Sequence, residues 1–217
     1  KLLRIKQIEE NDGQTLISKA SDGEWKHSRE ITLLIRECLS KSGLSFDDIH
    51  AIAISGGPGS YTGLRVGASA AKGICYAKNI KLIAVNTLEI IAFPFSDQIT
   101  ENGFIIPLID ARRDEVYYNI YNKQMQSQLE TTNLILDASS FEEYTSEAVI
   151  VCGDGAQKSI PLIQKPQFEY FPSKSLAKNM SMLSFKKYGA GEFEDIAYYS
   201  PFYLKLPNIT KSKKQLF

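Results

Sequence analysis

The order of apolar and polar positions along the chain predicts alternating helices and strands. Between Ser28 and Gly43 the apolar residues recur every 3.6 positions on average, so we expect an amphipathic helix with Ser28 as its N-cap and Gly43 at its end. The continuous apolar run at 50–55 is typical of a strand that is covered on both faces. The other apolar runs of this half predict strands at 2–9 and 80–85 and helices at 61–78 and 87–93.

The second half of the chain repeats this plan. Its apolar runs predict strands at 104–109, 116–121 and 148–152, the second antiparallel to the first, and the start of a short helix at 139–144. In both halves a buried strand runs directly into a glycine turn and then a helix, which indicates a structural duplication. The polar stretch at 96–103 separates two predicted lobes, residues 1–98 and 103–217, stacked as in α/β proteins of the actin and hexokinase type.

Composition excludes several classes of protein. The 25 lysine and arginine residues balance 25 acidic residues, so the net charge is zero. The protein as a whole is therefore not attracted electrostatically to nucleic acid or to an anionic membrane. No apolar run approaches the roughly 20 residues that cross a bilayer, and no secretory signal opens the chain, so we expect a cytoplasmic protein without membrane contact. Cys38, Cys75 and Cys152 lie among apolar residues, which predicts buried free thiols.

The glycine-rich turn at 55–65 has the appearance of a phosphate-binding loop. A Walker loop needs a lysine after its last glycine, but Gly63 is followed by Leu64. A dinucleotide fingerprint needs a third glycine where this chain has Thr62. Neither nucleotide motif fits, which leaves two interpretations: the free N–H groups of the turn bind an anion, or Ser60 and Thr62 cap them.

The helix predicted after this turn carries a stripe of small residues. Gly63, Gly67, Ala71 and Cys75 follow one another at four-residue spacing. A glycine inside a helix costs about 1 kcal/mol relative to alanine, so the two glycines of the stripe need a packing reason. We expect the helix to be buried nearly all round, either within its own lobe or with one face against a second protein.

Sequence motifs for catalysis are weak. His27 and His50 have no histidine or cysteine at metal-ligand spacing, so we reject a metalloprotease. Ser60 lacks the surrounding pattern of a nucleophile elbow, which argues against a serine hydrolase. The mixed charges at 110–115 are more typical of a solvated turn than of acid–base chemistry.

Two alternatives to a protein-binding role stay open at this stage. Gly153, Asp154 and Gly155 follow a buried strand at the position where kinase-like ATPases contact adenosine, so the alternative function is a weak ATPase or nucleotide-binding protein acting on its own. A basic stretch with no acidic residue follows Pro201 and is a candidate RNA contact. Its lysines are Lys205, Lys211, Lys213 and Lys214.

The longest motif of the chain occupies residues 55–67, reads SGGPGSYTGLRVG, and is followed by Ala71-Lys72-Gly73. Together with matches at 26–28, 82–88, 109–117 and 201–205, it resembles the signature of the TsaB family, also called YeaZ. The resemblance runs over residues 1–206. It implies a duplicated, actin-like fold (ASKHA, ribonuclease H-like) and a subunit that has neither a catalytic centre nor a metal site.

In that family the helices matching 28–42 and 61–78 form a four-helix bundle with the catalytic TsaD subunit, or with a second copy when TsaD is absent. The complex transfers threonylcarbamoyl to the adenosine beside the anticodon of tRNAs that read codons starting with A, and the small ATPase TsaE also docks on it. The resemblance implies no cofactor bound by this chain alone, ATP or ADP as a candidate at the complex interface, and tRNA contact only through the complex. The implied partner interface consists of Glu30, Ile31, Leu34, Gly59, Ser60, Tyr61, Thr62, Gly63, Leu64, Arg65, Gly67 and Ala71.

One departure from the family pattern concerns the start of the chain. The family opens with a strand that carries an Asp or Glu followed by Thr or Ser, whereas Lys1 matches the start of a later strand. We therefore expect the first lobe to lack its N-terminal strand, and we find no support in these residues for ATP binding by the chain alone.

Overall fold

A computed structural model of the protein describes residues 4–6, 15–19, 27–173, 175 and 177–205. Its helices are α1 (His27–Ser42), α2 (Tyr61–Lys78), α3 (Thr87–Ala92), α4 (Ala156–Ser159) and α5 (Ser181–Gly189). Its strands are β1 (Arg4–Lys6), β2 (Ala51–Gly57), β3 (Lys81–Asn86), β4 (Phe104–Asp110), β5 (Glu115–Tyr118), β6 (Tyr121–Asn122), β7 (Thr132–Ile135), β8 (Val149–Gly153) and β9 (Phe168–Pro172). Short 3-10 turns lie at Phe46–Asp48, Phe93–Phe95, Glu142–Tyr144 and Ala177–Met180.

The first sheet is covered on both faces. Its order among the described residues is β1-β2-β3, with β1 antiparallel and β3 parallel to the central strand β2. Successive side chains of a strand point to opposite faces. Ile52 and Ile54 pack with α1 and α2, whereas Ala53 and Ile83 pack with α3 and α5. This double cover explains why the sequence is continuously apolar at 50–55.

The second sheet is joined to the first through helix α3. Its order is β7-β5-β4-β8-β9, with β6 also paired to β4. Strands β4, β8 and β9 are parallel to one another. Strand β5 is antiparallel to β4, and β7 is antiparallel to β5. Ile90 of α3 packs in the core of the first sheet, and Leu88 and Ile91 pack in the core of the second. One short helix is thereby buried between two sheets.

Most elements predicted from periodicity are confirmed. The predicted helices at 28–43 and 61–78 correspond to α1 and α2, and the predicted strands correspond to β2, β3, β4, β5 with β6, and β8. Helix α1 begins at His27, one residue before the predicted cap, and ends before Gly43, which has a φ of +70°. Of the strand predicted at 2–9, Arg4–Lys6 is observed and the other positions lie outside the described residues.

Two local features differ from the prediction. Strands β7 and β9 are not predicted, because polar residues interrupt their apolar pattern. The short helix predicted from 139 is only a 3-10 turn at Glu142–Tyr144, preceded by Phe141 with a φ of +59°. Helix α3 ends at Ala92, close to its predicted end, and Pro94 lies near the start of the 3-10 turn that follows, where its missing N–H donor is not needed. The division into residues 1–98 and 103–217 stays a prediction.

The cysteines are free thiols. Cys75 and Cys152 are buried, as predicted, while Cys38 on α1 is only half-buried. Burial raises the pKa of the Cys75 thiol to about 11 and also raises the pKa of Cys152. Both buried thiols therefore stay protonated at neutral pH, and they act as small apolar side chains in the core.

Two glycines allow separate chain segments to approach more closely than a side chain permits. Gly57 at the end of β2 has a φ of +109°, and an added Cβ would overlap the carbonyl oxygen of Phe202. Gly153 at the end of β8 has a φ of +103°, and an added Cβ would overlap the carbonyl oxygen of Leu108. In both halves a glycine of positive φ thus ends the buried strand and lies against another backbone, in agreement with the duplication indicated by the sequence, although the backbone contacted is β4 in one half and the segment at Phe202 in the other.

Replacing Gly153 tests this contact. We expect Gly153→Ala to lower the free energy of unfolding by at least about 2 kcal/mol, because the new Cβ meets both an unfavourable φ and a backbone carbonyl that cannot move away. Gly43→Ala is the matched control, since Gly43 also has a positive φ but an added Cβ meets no heavy atom within 4 Å. The control should lose only about 1 kcal/mol in urea unfolding. Equal losses in the two variants would contradict the contact.

Glu89 in the first turn of α3 predicts a pH dependence. Burial raises the pKa of its carboxyl, although Lys187 partly opposes the effect. The folded state therefore keeps this carboxyl protonated up to a higher pH than the unfolded state does. The group's contribution to stability is lost as the pH rises above the ordinary pKa of about 4.5. Glu89→Gln should unfold at a higher temperature than the wild type at pH 7, and the difference should vanish below pH 4. Equal melting temperatures of the two proteins at pH 7 would contradict this assignment.

Candidate partner interface

Helix α2 buries one side and exposes the other. Its buried residues are Leu64, Ala68, Ala71 and Cys75, which lie in the chain's own core. Its exposed residues before Ala77 are Thr62, Arg65, Ser69, Gly73 and Tyr76. The prediction that this helix is buried nearly all round is therefore wrong within this chain.

The stripe of small residues winds around the helix and does not stay on one face. An α-helix completes a turn in 3.6 residues, so each four-residue step advances about 40° beyond a full turn. From Gly63 to Cys75 the stripe rotates by about 120°. Ala71 and Cys75 consequently reach the core, whereas an added Cβ on Gly67 would have no heavy atom within 4 Å. The packing reason for Gly67 does not lie within the described part of this chain.

We call the exposed side of α1 and α2 the helical face. Helix α1 packs on α2 through Ile31, Ile35 and Leu39, and Leu33, Arg36 and Ser40 on its other side are exposed. Leu33 on α1 is 60% exposed and Tyr76 on α2 is 82% exposed. Gly73 on α2 also has open space where a Cβ would stand. Exposed large apolar side chains beside bare backbone are features of a surface that another helix can pack against closely.

The interface residues predicted from the sequence fall into three groups. Ser60, Thr62 and Arg65 are exposed; Glu30, Leu34, Gly59, Tyr61, Gly63 and Gly67 are half-buried; Ile31, Leu64 and Ala71 are buried. The buried group fills the chain's own core, so these three side chains support the helical face from beneath. Sequence reasoning missed Leu33 and Tyr76, although both could have been found as apolar residues on the polar side of an amphipathic helix.

The glycine-rich turn before α2 uses its own serine as a cap. The Ser60 hydroxyl accepts a hydrogen bond from the Gly63 amide at 3.3 Å. Thr62 is exposed in the first turn. Of the two interpretations of this turn, the capping one is therefore realised by Ser60. At its other end α2 stops at Asn79, which adopts the left-handed conformation with a φ of +51°.

A cleft of about 570 Å³ lies beside this turn, where the carboxyl ends of β2 and β3 meet a later segment of the chain. Two carboxylates, Glu194 and Asp195, give the cleft a negative charge that does not favour phosphate. The Tyr199 hydroxyl is buried without a hydrogen-bond partner among the described residues, and burial raises its pKa. The lining also includes Gly56, Gly57, Ala84, Val85, Asn86, Tyr198, Ser200 and Phe202.

The turn at Gly153, Asp154 and Gly155 is satisfied by its neighbours. The Asp154 carboxylate accepts a hydrogen bond from the Asp110 amide at 2.9 Å, and the Gly155 amide donates to the Leu108 carbonyl at 3.0 Å. Gly153 and Gly155 both lie too close to Leu108 to accommodate a Cβ. These two glycines therefore have a packing explanation, and nucleotide contact at this turn stays a prediction.

A lysine holds the neighbouring charged turn in place. The Lys158 ammonium donates to the Asp110 carboxylate at 2.6 Å and to the Arg113 carbonyl at 2.8 Å. Burial acts to raise the pKa of Asp110, but Lys158 and the Arg112 amide outweigh it, so the pKa lies below its usual value. This arrangement agrees with the solvated turn expected at 110–115.

The basic stretch near the end of the sequence is only partly described. Lys205 pairs with Glu115 on β5, whereas Lys211, Lys213 and Lys214 lie outside the described residues. Over residues 27–173 and the other described positions, no three His, Cys, Asp or Glu side chains are grouped as a metal site requires. None of the described helices combines the length and the apolar content needed to cross a membrane.

Comparison with known proteins gives consistent matches. Residues 21–214 match the family model described as TsaD, tRNA N6-adenosine threonylcarbamoyltransferase. The tRNA threonylcarbamoyladenosine biosynthesis protein TsaB of Haemophilus influenzae is 37% identical over 94 residues, which cover 43% of this chain and 39% of that protein. TsaB of Escherichia coli is 35% identical over 100 residues, covering 45% of this chain and 42% of that protein. The chain thus spans about two fifths of the length of the TsaB proteins it matches.

Solved structures place the fold. YeaZ from Pseudomonas aeruginosa superposes with a TM-score of 0.69 at 24% identity, covering 82% of this chain and 84% of that one. A second Pseudomonas aeruginosa structure, described as an uncharacterized protein with similarity to peptidase YeaZ, gives a TM-score of 0.68 at 22% identity with the same coverage. The actin-like α/β fold expected from the sequence is confirmed. The chain belongs to the family that the tRNA N6-adenosine threonylcarbamoyltransferase model describes, and within it to the TsaB, or YeaZ, proteins.

Proposed function

We propose that this chain is a non-catalytic scaffold subunit in the synthesis of tRNA threonylcarbamoyladenosine in the cytoplasm. Its role is to bind the catalytic TsaD subunit through the helical face, so that the complex transfers threonylcarbamoyl to the adenosine next to the anticodon of tRNAs reading A-starting codons. The chain pairs with a second copy when TsaD is absent. The TsaE ATPase docks on the assembled complex, and tRNA is contacted through the complex.

The open space above Gly73 carries this proposal. Gly73 weakens α2 by about 1 kcal/mol relative to alanine, and an added Cβ there meets no heavy atom of the described chain within 4 Å. A partner helix lying across Gly73 would gain close backbone contact and would cover Tyr76, which is three residues away on the same exposed side of α2. Burying such a side chain contributes about 1.5–3 kcal/mol. The names of the matching relatives, biosynthesis proteins of threonylcarbamoyladenosine, support the pathway.

A bulky residue at Gly73 is the sharpest test of the interface. In the isolated chain Gly73→Leu should leave the fold intact and raise its stability by up to about 1 kcal/mol, because leucine favours helix and Gly73 is exposed with open space around an added Cβ. Binding to co-expressed TsaD should weaken by about tenfold or more, since the leucine holds the partner helix away. Titration calorimetry and light scattering measure both effects.

Gly189→Leu is the matched control for this experiment. Gly189 also lies in a helix with open space around an added Cβ, but on α5 and away from the helical face. It should leave TsaD binding unchanged. Wild-type affinity in the Gly73→Leu variant, or equal weakening in both variants, would argue against this surface as the interface.

Nucleotide binding separates the proposal from an independent ATPase. We expect the purified chain to show neither binding heat nor turnover with ATP and magnesium, because the glycines of the 153–155 turn pack on Leu108 and the cleft beside Gly56 is acidic. ATP or ADP is proposed to bind only at the interface of the complex, so the same titration on the complex is the comparison. Micromolar binding with turnover by the chain alone would favour the independent ATPase.

A further inference from the structure

The segment at 199–203 folds back onto the first sheet and helix α2. The Phe202 amide donates a hydrogen bond to the Gly56 carbonyl at 2.7 Å, and its carbonyl lies over Gly57, which has no side chain to obstruct it. The Lys72 ammonium of α2 donates to the Tyr199 carbonyl at 3.1 Å. Contacts with β2 and α2 therefore fix the path of this segment through its backbone.

This path brings an aromatic ring to the start of α2. The ring centroid of Tyr203 lies 4.8 Å from that of Tyr61, with the planes tilted by 44°. The Arg65 guanidinium lies over the Tyr61 ring, 5.4 Å from its centroid, and its Nη1 donates to the Tyr61 hydroxyl at 3.3 Å. We call Tyr61, Arg65 and Tyr203 the Tyr61 cluster. It borders the helical face where the glycine-rich turn enters α2.

The composition and charge of the Tyr61 cluster are those of a binding hot spot. Tyrosine and arginine are enriched among the residues that carry most of the energy of protein interfaces, and stacked rings lose little conformational entropy on binding. Arg65 has no ion-pair partner among the described residues. Covering an unpaired guanidinium is costly, so a partner that buries this cluster must supply an acceptor. A carboxylate meets the planar guanidinium with two hydrogen bonds.

Charge also distinguishes between possible partners. The first turn of α2 contains no acidic residue. If two copies of this chain joined symmetrically at their α2 N-termini, each guanidinium would face another α2 start that has no carboxylate to offer. A symmetric pair would have to supply the carboxylate from α1, whose first turn contains Glu30, whereas a different protein can present an acidic group beside its own packing helix.

We propose that Tyr203 and Arg65 contact the catalytic subunit directly, and that this partner places a carboxylate on the Arg65 guanidinium. The partner-binding surface then extends from the helical face onto the segment at 199–203. This inference rests on the proposed function, because it takes the catalytic TsaD subunit as the partner.

Cross-linking tests the contact without removing the ring. A photoreactive benzoylphenylalanine is introduced at position 203 or, as the control, in place of Tyr198, which belongs to the same region and is 87% exposed. Illumination of the complex should cross-link position 203 to the catalytic subunit, whereas position 198 should give no such product. No cross-link from 203 in a formed complex, or one only to a second copy of this chain, would overturn the inference.

Affinity measurements test the chemistry. Tyr203→Ala and Arg65→Ala should each weaken binding of the catalytic subunit by more than about tenfold, whereas Tyr203→Phe and Tyr198→Ala should stay within about threefold of the wild type. Arg65→Glu should weaken it further than Arg65→Ala, because a carboxylate then faces a carboxylate. Wild-type affinity in both alanine variants would overturn the inference while leaving the proposed function in place. If the wild-type chain does not bind the catalytic subunit at all, the proposed function itself fails.

Discussion

One backbone contact, between the end of β2 and Phe202, fixes how the segment at 199–203 lies against the first sheet and helix α2. The Gly56 carbonyl accepts from the Phe202 amide at 2.7 Å, and the bare Cα of Gly57 leaves room for the Phe202 carbonyl. This contact closes one wall of the acidic cleft and fixes the segment that carries Tyr203 to Tyr61. The glycines of this turn therefore allow a neighbouring backbone to approach, and its serine, Ser60, caps the start of α2.

The helices and buried strands could be predicted from the sequence because their signals are local. The 3.6-residue period of α1 and the continuous apolar run of β2 each report directly which side chains meet the core. Strands β7 and β9 gave no such signal, since half-exposed strands carry mixed residues whose pairing is decided by distant neighbours.

The candidate site could be predicted only in outline. The motifs pointed to α1 and α2, where three of the chosen residues, Ile31, Leu64 and Ala71, fill the chain's own core. A stripe at four-residue spacing cannot show this, because its slow rotation around the helix carries it from one environment into another. The contact between Tyr203 and Tyr61 was equally hidden, since the two residues lie far apart in the sequence.

The same fold-back has a consequence for the timing of assembly. During synthesis α1, β2 and α2 emerge well before residues 199–203, so a partner present at that moment meets the helical face without Tyr203. The early surface already carries Tyr61 and Arg65 on α2, and only the Tyr203 ring arrives later, when the late segment has taken its place along Gly56 and Gly57. The Tyr61 cluster is thus completed at a later stage of the chain's own folding than the helix that carries most of it.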